Sequence, residues 1–132
     1  IGMLLVSCGS KRLDNPKAQF IRDFGLNIEK KDCVLEELFN NYEGVPYEGI
    51  ALYKLTVGGD VRQAFLQWER FPLPEAAENF LESLSAYLEL PPIADGYWKM
   101  VDRNQGTSAY TNVSLCVYDV ATGAAYLLTM DI

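Results

Sequence analysis

Two periods of apolar and polar residues run along the chain, and each change of period marks the edge of an element. Asp14-Asn15-Pro16 supplies an N-cap and a proline for a first helical turn. Phe20, Ile21 and Phe24 then fall on one face and Gly25 stands at the stop, so a short helix is predicted. Cys33 to Asn40 fits two patterns: Val34, Leu35, Leu38 and Phe39 suit a helical face, whereas Cys33, Leu35 and Phe39 suit a strand interrupted at Glu37. The strand is favoured. Asn40 to Tyr47, with Gly44 and Pro46, reads as a hairpin loop. It leads into a second strand, Gly49 to Val57, where Ala51, Tyr53, Leu55 and Val57 alternate with Leu52, Lys54 and Thr56.

Gly58-Gly59 breaks that strand, and Asp60 with Gln63 has the spacing of a capping box. Val61, Ala64, Phe65 and Trp68 recur at the interval of a helix face laid on a core. A stiff Phe71-Pro72-Leu73-Pro74 corner follows. The next helix opens at Pro74, carries Glu75 and Glu78 at its positive end and Ala77, Phe80, Leu81, Leu84 and Leu88 as its stripe, and stops before Pro91-Pro92. Strands are predicted over Tyr97 to Asp102, Asn112 to Asp119 and Ala124 to Asp131. The last two are joined by Asp119-Val120-Ala121-Thr122-Gly123, a type I turn completed by a glycine at positive φ.

The order α-β-β-α-α-β-β-β predicts an α+β domain: a mostly antiparallel sheet of about five strands with helices on one face. One core is then expected. Phe65, Trp68, Phe80, Leu81 and Leu84 form its helix side, and Leu115, Val117, Tyr126 and Leu128 much of its sheet side.

Charge and composition narrow the function. Eighteen acidic against eleven basic residues give a net charge of -7, and none of it lies in Ile1 to Cys8. Nucleic acid is therefore excluded as a partner, because phosphate binding needs clustered Lys and Arg, and adsorption to anionic lipid is opposed. Histidine is absent, which removes the commonest general base and metal ligand. Closely spaced cysteine pairs are also missing, so neither a metal site nor a cofactor is implied. Cys33 and Cys116 both sit in apolar patterns; a disulfide in an oxidising compartment and two buried thiols both remain open.

Leu5-Val6-Ser7-Cys8 closes an apolar run, and the polar segment Gly9-Ser10-Lys11-Arg12 follows at once. The four residues resemble the lipobox of bacterial lipoproteins, which implies cleavage before Cys8 and lipid attachment to its thiol. A secretory signal needs a basic start and about 7 to 15 apolar residues before the cleavage site, and only Ile1 to Val6 remain of that run. Residues 1–8 are therefore read as a truncated signal peptide, 9–15 as a tether and 16–132 as the single domain. The expected location is extracytoplasmic, held to the membrane of the cell envelope by the lipid on Cys8. Two or three acyl chains would be needed for stable anchoring.

Four stretches, Asp23-Phe24-Gly25-Leu26, Gln67 to Pro74, Ala94 to Trp98 with Val101-Asp102-Arg103, and Tyr118 to Tyr126, are similar in order and spacing to uncharacterised small secreted or lipid-anchored proteins of Gram-positive bacteria. The resemblance implies a compartment and a shape but no reaction. Those proteins often carry a His- and Gly-rich turn between the first two strands. Here Asn40 to Gly49 has no His and only Gly44 before Gly49.

Ser83, Ser85, Ser108 and Ser114 lack a nucleophile-elbow context and any His partner, and the two later cysteines lack a base. Paired carboxylates remain: Glu36 with Glu37, Glu43 with Glu48, or Asp95 with Asp102, any of which could flank a glycosidic bond. For binding, Tyr97 and Trp98 with Asp102 and Arg103 are the candidates, since Trp, Tyr and Arg anchor interfaces most often. The expected function is thus a non-enzymatic, lipid-anchored protein that binds an unidentified protein or envelope ligand. The alternative is a small carboxylate-type hydrolase acting on cell-wall glycan.

Overall fold

The computed structural model describes residues 21–26, 28, 33–43, 48–103 and 112–131. The expectations for Cys8, for the signal and tether over residues 1–15 and for a helix start at Pro16 lie outside the described residues. Residues 21–24 are helical, and Gly25, at φ 69°, donates its N–H to the Ile21 carbonyl at 2.8 Å. After it come β1 (Val34–Asn40), β2 (Gly49–Thr56), α1 (Gly59–Phe65), β3 (Glu69–Arg70), α2 (Glu75–Ser83), β4 (Gly96–Asp102), β5 (Asn112–Asp119) and β6 (Ala124–Asp131).

The strands form one sheet in the order β1-β2-β6-β5-β4-β3, with every neighbouring pair antiparallel. The α+β class and the antiparallel sheet agree with the sequence pattern. The strand count does not. The sixth strand is the two-residue β3, which pairs Glu69 with Trp98 and Arg70 with Tyr97. Its partner strand lies about 28 residues further on, so nothing local in Gln67 to Pro74 distinguishes it from a corner.

The expectation of helices on one face is overturned, because the sheet is covered on both. On its first face Ala51, Tyr53, Leu55, Cys116, Tyr118, Ala125 and Leu127 pack with Phe24, Leu26 and Ile28 and with Val61 and Phe65 of α1. On the second, Ile50, Leu52, Val113, Leu115, Val117, Tyr126, Leu128 and Met130 pack with Ala77 and Phe80 of α2 and with Leu84 just beyond it. The single predicted core is thus two: Phe65 and Trp68 belong to the first, and Phe80, Leu81 and Leu84 to the second. Burial of both side-chain parities follows. Every residue from Val113 to Asp119 and from Ala124 to Met130 is buried, as in strands enclosed on both sides.

β1 is an edge strand. Its register against β2 shifts between Glu37 and Phe39, where a bulge inserts Leu38, so Leu35 packs on the first face and Phe39 on the second although both positions are odd. This explains the interrupted alternation in the sequence. The bulge and the exposed Glu36 and Glu37 also protect this edge from pairing with another chain.

Two helix boundaries differ from expectation. α1 is capped by the extended backbone of Gly58 and not by Asp60, which lies inside the first turn, and no side chain caps it. α2 ends at Ser83 and residues 84–87 continue as turns, so Leu88 lies outside the helix. The β5–β6 turn has the predicted positive-φ glycine, but the register runs unbroken from Asp119 opposite Ala124, without the bulge expected of such a hairpin. Gly123 has φ 74° and donates to the Asp119 carbonyl at 2.8 Å, while the Asp119 side chain accepts from the Ala121 N–H and the Thr122 hydroxyl, both at 3.0 Å.

Candidate functional site

The chain makes its recess where α2 runs out. From Leu84 to Ala94 it crosses the second face without helix or strand, stiffened by Pro91 and Pro92, and beyond the buried Leu84 its Leu88 and Leu90 reach the sheet only in part. The result is a pocket of about 610 Å³, within the range of small-molecule sites. Val117 of β5 is the floor, Phe71 to Leu73 form one wall, Leu81 of α2 and Leu88, Leu90 and Ile93 form the other, and Glu78, Glu82, Ser85 and Glu89 bring the polar atoms. Glu78, Glu82 and Glu89 are exposed, so their charges stand at the rim. Among the described residues no Lys or Arg lines it.

The four residues singled out in the sequence do not converge. β4 sends Tyr97 to the first face and Trp98 to the second, so neither is a free aromatic rim. Tyr97 is half-buried and covered by the Arg70 guanidinium, whose carbon lies 5.6 Å from the ring centroid. Arg70 in turn grips Asp95 through Nε at 3.2 Å and Nη2 at 2.7 Å, and this hydrogen-bonded pairing holds the Asp95 carboxyl below its ordinary pKa. Trp98, half-buried, stands directly opposite Val117, the pocket floor. Its Nε1 is buried and has no hydrogen-bond partner among the described residues. Asp102 is exposed at the far end of the strand.

Arg103 is structural. Its guanidinium meets Asp131, the Thr129 hydroxyl at 2.8 Å and the Val113 and Met130 carbonyls at 3.2 Å, with Nε 3.8 Å from Asp23. Ser114 donates to Asp23 at 2.8 Å and lies 3.2 Å from the Thr129 hydroxyl. Tyr42 donates to Asp131 at 2.7 Å. Desolvation, then the bond to Asp131, pushes the Tyr42 phenol well above the usual tyrosine range. This network ties the helical turn at Asp23 to the ends of β5 and β6, and among the described residues it leaves the buried Arg103 Nε without a hydrogen-bond partner.

Of the carboxylate pairs, Asp95 and Asp102 bracket β4 and stand about 20 Å apart at strand rise, too far to flank one bond. Glu36 and Glu37 are strand neighbours on opposite faces, and Glu37 accepts from the Tyr53 hydroxyl at 3.2 Å. Glu43 and Glu48 do meet, facing each other across an isolated antiparallel bridge, with both residues exposed. Cys33 and Cys116 are both buried in the first core, and burial pushes the Cys116 thiol well up. Among the described residues no group of three His, Cys, Asp or Glu could hold a metal ion.

The pocket was missed in the sequence because Leu81 and Leu88 read as one buried stripe. The available signal was Leu88, Leu90 and Ile93, apolar residues on either side of a Pro-Pro pair that no helix could continue through. No protein-family model matches the chain, and neither a curated protein nor a solved structure matches it.

Proposed function

We propose that this protein is a non-enzymatic, lipid-anchored extracytoplasmic protein that binds an envelope ligand in the pocket beside α2. One observation carries the binding reading: a half-open recess of about 610 Å³ is lined mainly by apolar side chains, and the three glutamates that line it, Glu78, Glu82 and Glu89, are exposed. That arrangement suits the apolar body of a ligand and a few orienting polar contacts. The anchor rests on the Leu5-Val6-Ser7-Cys8 pattern and, because the net charge of -7 opposes contact with anionic lipid, on the acyl chains alone. Ile21, Phe24, Leu26 and Ile28 pack on the first face, the side opposite the pocket.

Two measurements test the proposal. Expression behind a restored signal peptide should give a protein that partitions into detergent and has a diacylglycerol mass on Cys8; Cys8→Ala should release it. Nile red, a neutral apolar dye, should bind the purified chain at one site and be displaced when Ala94→Trp fills the pocket. A chain that stays unmodified, or dye binding indifferent to Ala94→Trp, overturns the respective half. The facing Glu43 and Glu48 are what favour the hydrolase reading. A screen against peptidoglycan and synthetic glycosides from pH 4 to 8 decides it, since turnover lost in Glu43→Gln or Glu48→Gln would replace the binding proposal.

A further inference from the structure

We infer that the pocket selects an amphipathic cation, an aliphatic or aromatic body carrying a single protonated amine or quaternary ammonium. The inference rests on the pocket reading above and adds the charge and size of the occupant. Glu78 and Glu82 stand one helical turn apart on α2, so their carboxylates project side by side along one wall. Glu89 approaches from the loop after α2. Three anionic groups therefore edge a mouth whose walls are apolar, and low-dielectric walls concentrate such a field on the opening.

None of the described basic residues lines the pocket; Lys54 shares its face, in the row Lys54-Tyr126-Val117, but stands two strands, about 10 Å, from the floor. Arg70, beside the wall residue Phe71, is held by Asp95, and Lys99 lies over the Trp68 ring on the first face, 5.9 Å from its centroid. Arg62 belongs to α1, which covers that same first face. Among the described residues, no salt bridge neutralises Glu78, Glu82 or Glu89. An anionic amphipath would bring like charge to the rim, and a neutral one would leave the rim carboxylates without a counter-charge. A cation satisfies both the walls and the mouth. A recess of about 610 Å³ has room for a chain of about ten carbons and its head.

The test is isothermal titration of the purified 132-residue chain with decyltrimethylammonium, decyl sulfate and decyl maltoside, each below its micelle concentration and with far-UV circular dichroism confirming that the fold is intact. The cation should bind one to one and about tenfold tighter than either other surfactant, and its affinity should fall as salt rises. Each of Glu78→Gln, Glu82→Gln and Glu89→Gln should weaken it about two- to fivefold, the range of exposed charge pairs. The triple substitution should abolish the preference over decyl maltoside. If decyl maltoside or decyl sulfate binds as tightly as the cation and Ala94→Trp blocks both, the pocket stands and the cation inference fails. If no surfactant binds, or Ala94→Trp changes nothing, the pocket reading fails and takes this inference with it.

Discussion

Replacing Phe65 by Ala tests the first core where its packing is most specific. Phe65 is fully buried, its ring stacked on Tyr118 with centroids 4.7 Å apart and planes within 7°, and meets Trp68 edge-on at 5.0 Å and 88°. Truncating a buried Phe costs about 3 to 5 kcal/mol from lost transfer and the cavity left behind. Each aromatic pair contributes about 0.5 to 1.5 kcal/mol beyond burial, which places Phe65→Ala at the upper end, about 4 to 5 kcal/mol. Phe65→Leu keeps most of the apolar volume but loses both ring pairs, and should cost about 1 to 3 kcal/mol. Against a total stability of about 5 to 15 kcal/mol, both shifts are measurable. Equilibrium urea unfolding followed by far-UV circular dichroism is the assay, because Trp68 fluorescence would itself change with its neighbour. The same assay distinguishes two cores from one. Leu84 is buried on the opposite face, so Phe65→Leu and Leu84→Ala should add to within about 0.5 kcal/mol. A coupling above about 1 kcal/mol would mean a shared core and refute the two-faced packing; a Phe65→Ala cost below about 2 kcal/mol would refute the ring contacts.

Three further outcomes follow from the geometry. Tyr42 has a folded pKa raised above the unfolded value of about 10, so its contribution is complete below that pH and is lost as pH climbs past it, by up to about 1.4 kcal/mol per unit. Tyr42→Phe should flatten that alkaline decline in urea midpoints, and an unchanged slope would exclude the buried Tyr42 phenol as its cause. A Cβ on Gly96 would stand 2.0 Å from the Tyr118 carbonyl oxygen, whereas one on Gly59 meets nothing within 4 Å. Gly96→Ala should therefore destabilise by about 3 kcal/mol or more through forced backbone displacement, and Gly59→Ala should stabilise by about 0.4 to 1 kcal/mol; equal melting shifts would contradict the β4–β5 approach. Cys116, fully buried with its pKa raised, should resist iodoacetamide in the native protein and react once urea unfolds it, as peptide mass spectrometry would show; native labelling at the unfolded rate would argue against its place in the core.

Local chemistry determined β2, β4, β5 and β6 to within a residue or two, because alternation over seven or eight positions and glycine punctuation are properties of neighbouring residues. The Asp119 to Gly123 turn belongs to the same class: its aspartate caps its own turn and its glycine alone accepts the positive φ. What lies on either side of a sheet is not a local property. Val113, Leu115 and Val117 alternate with Ser114, Cys116 and Tyr118, and nothing local says that both sets are covered, as they are once Phe24, Leu26, Ile28 and α1 pack over the second set. The bulge at Leu38 likewise needs β2 for its definition, and β3 exists only as a partner of β4. The candidate site followed the same rule. Tyr97, Trp98, Asp102 and Arg103 are close in sequence, but a strand separates its neighbours onto two faces and its ends by about 20 Å. Tertiary packing gave Arg103 to Asp131, Thr129 and Asp23. It also placed Leu81, Ile93 and Val117, which are far apart in the chain, around one space.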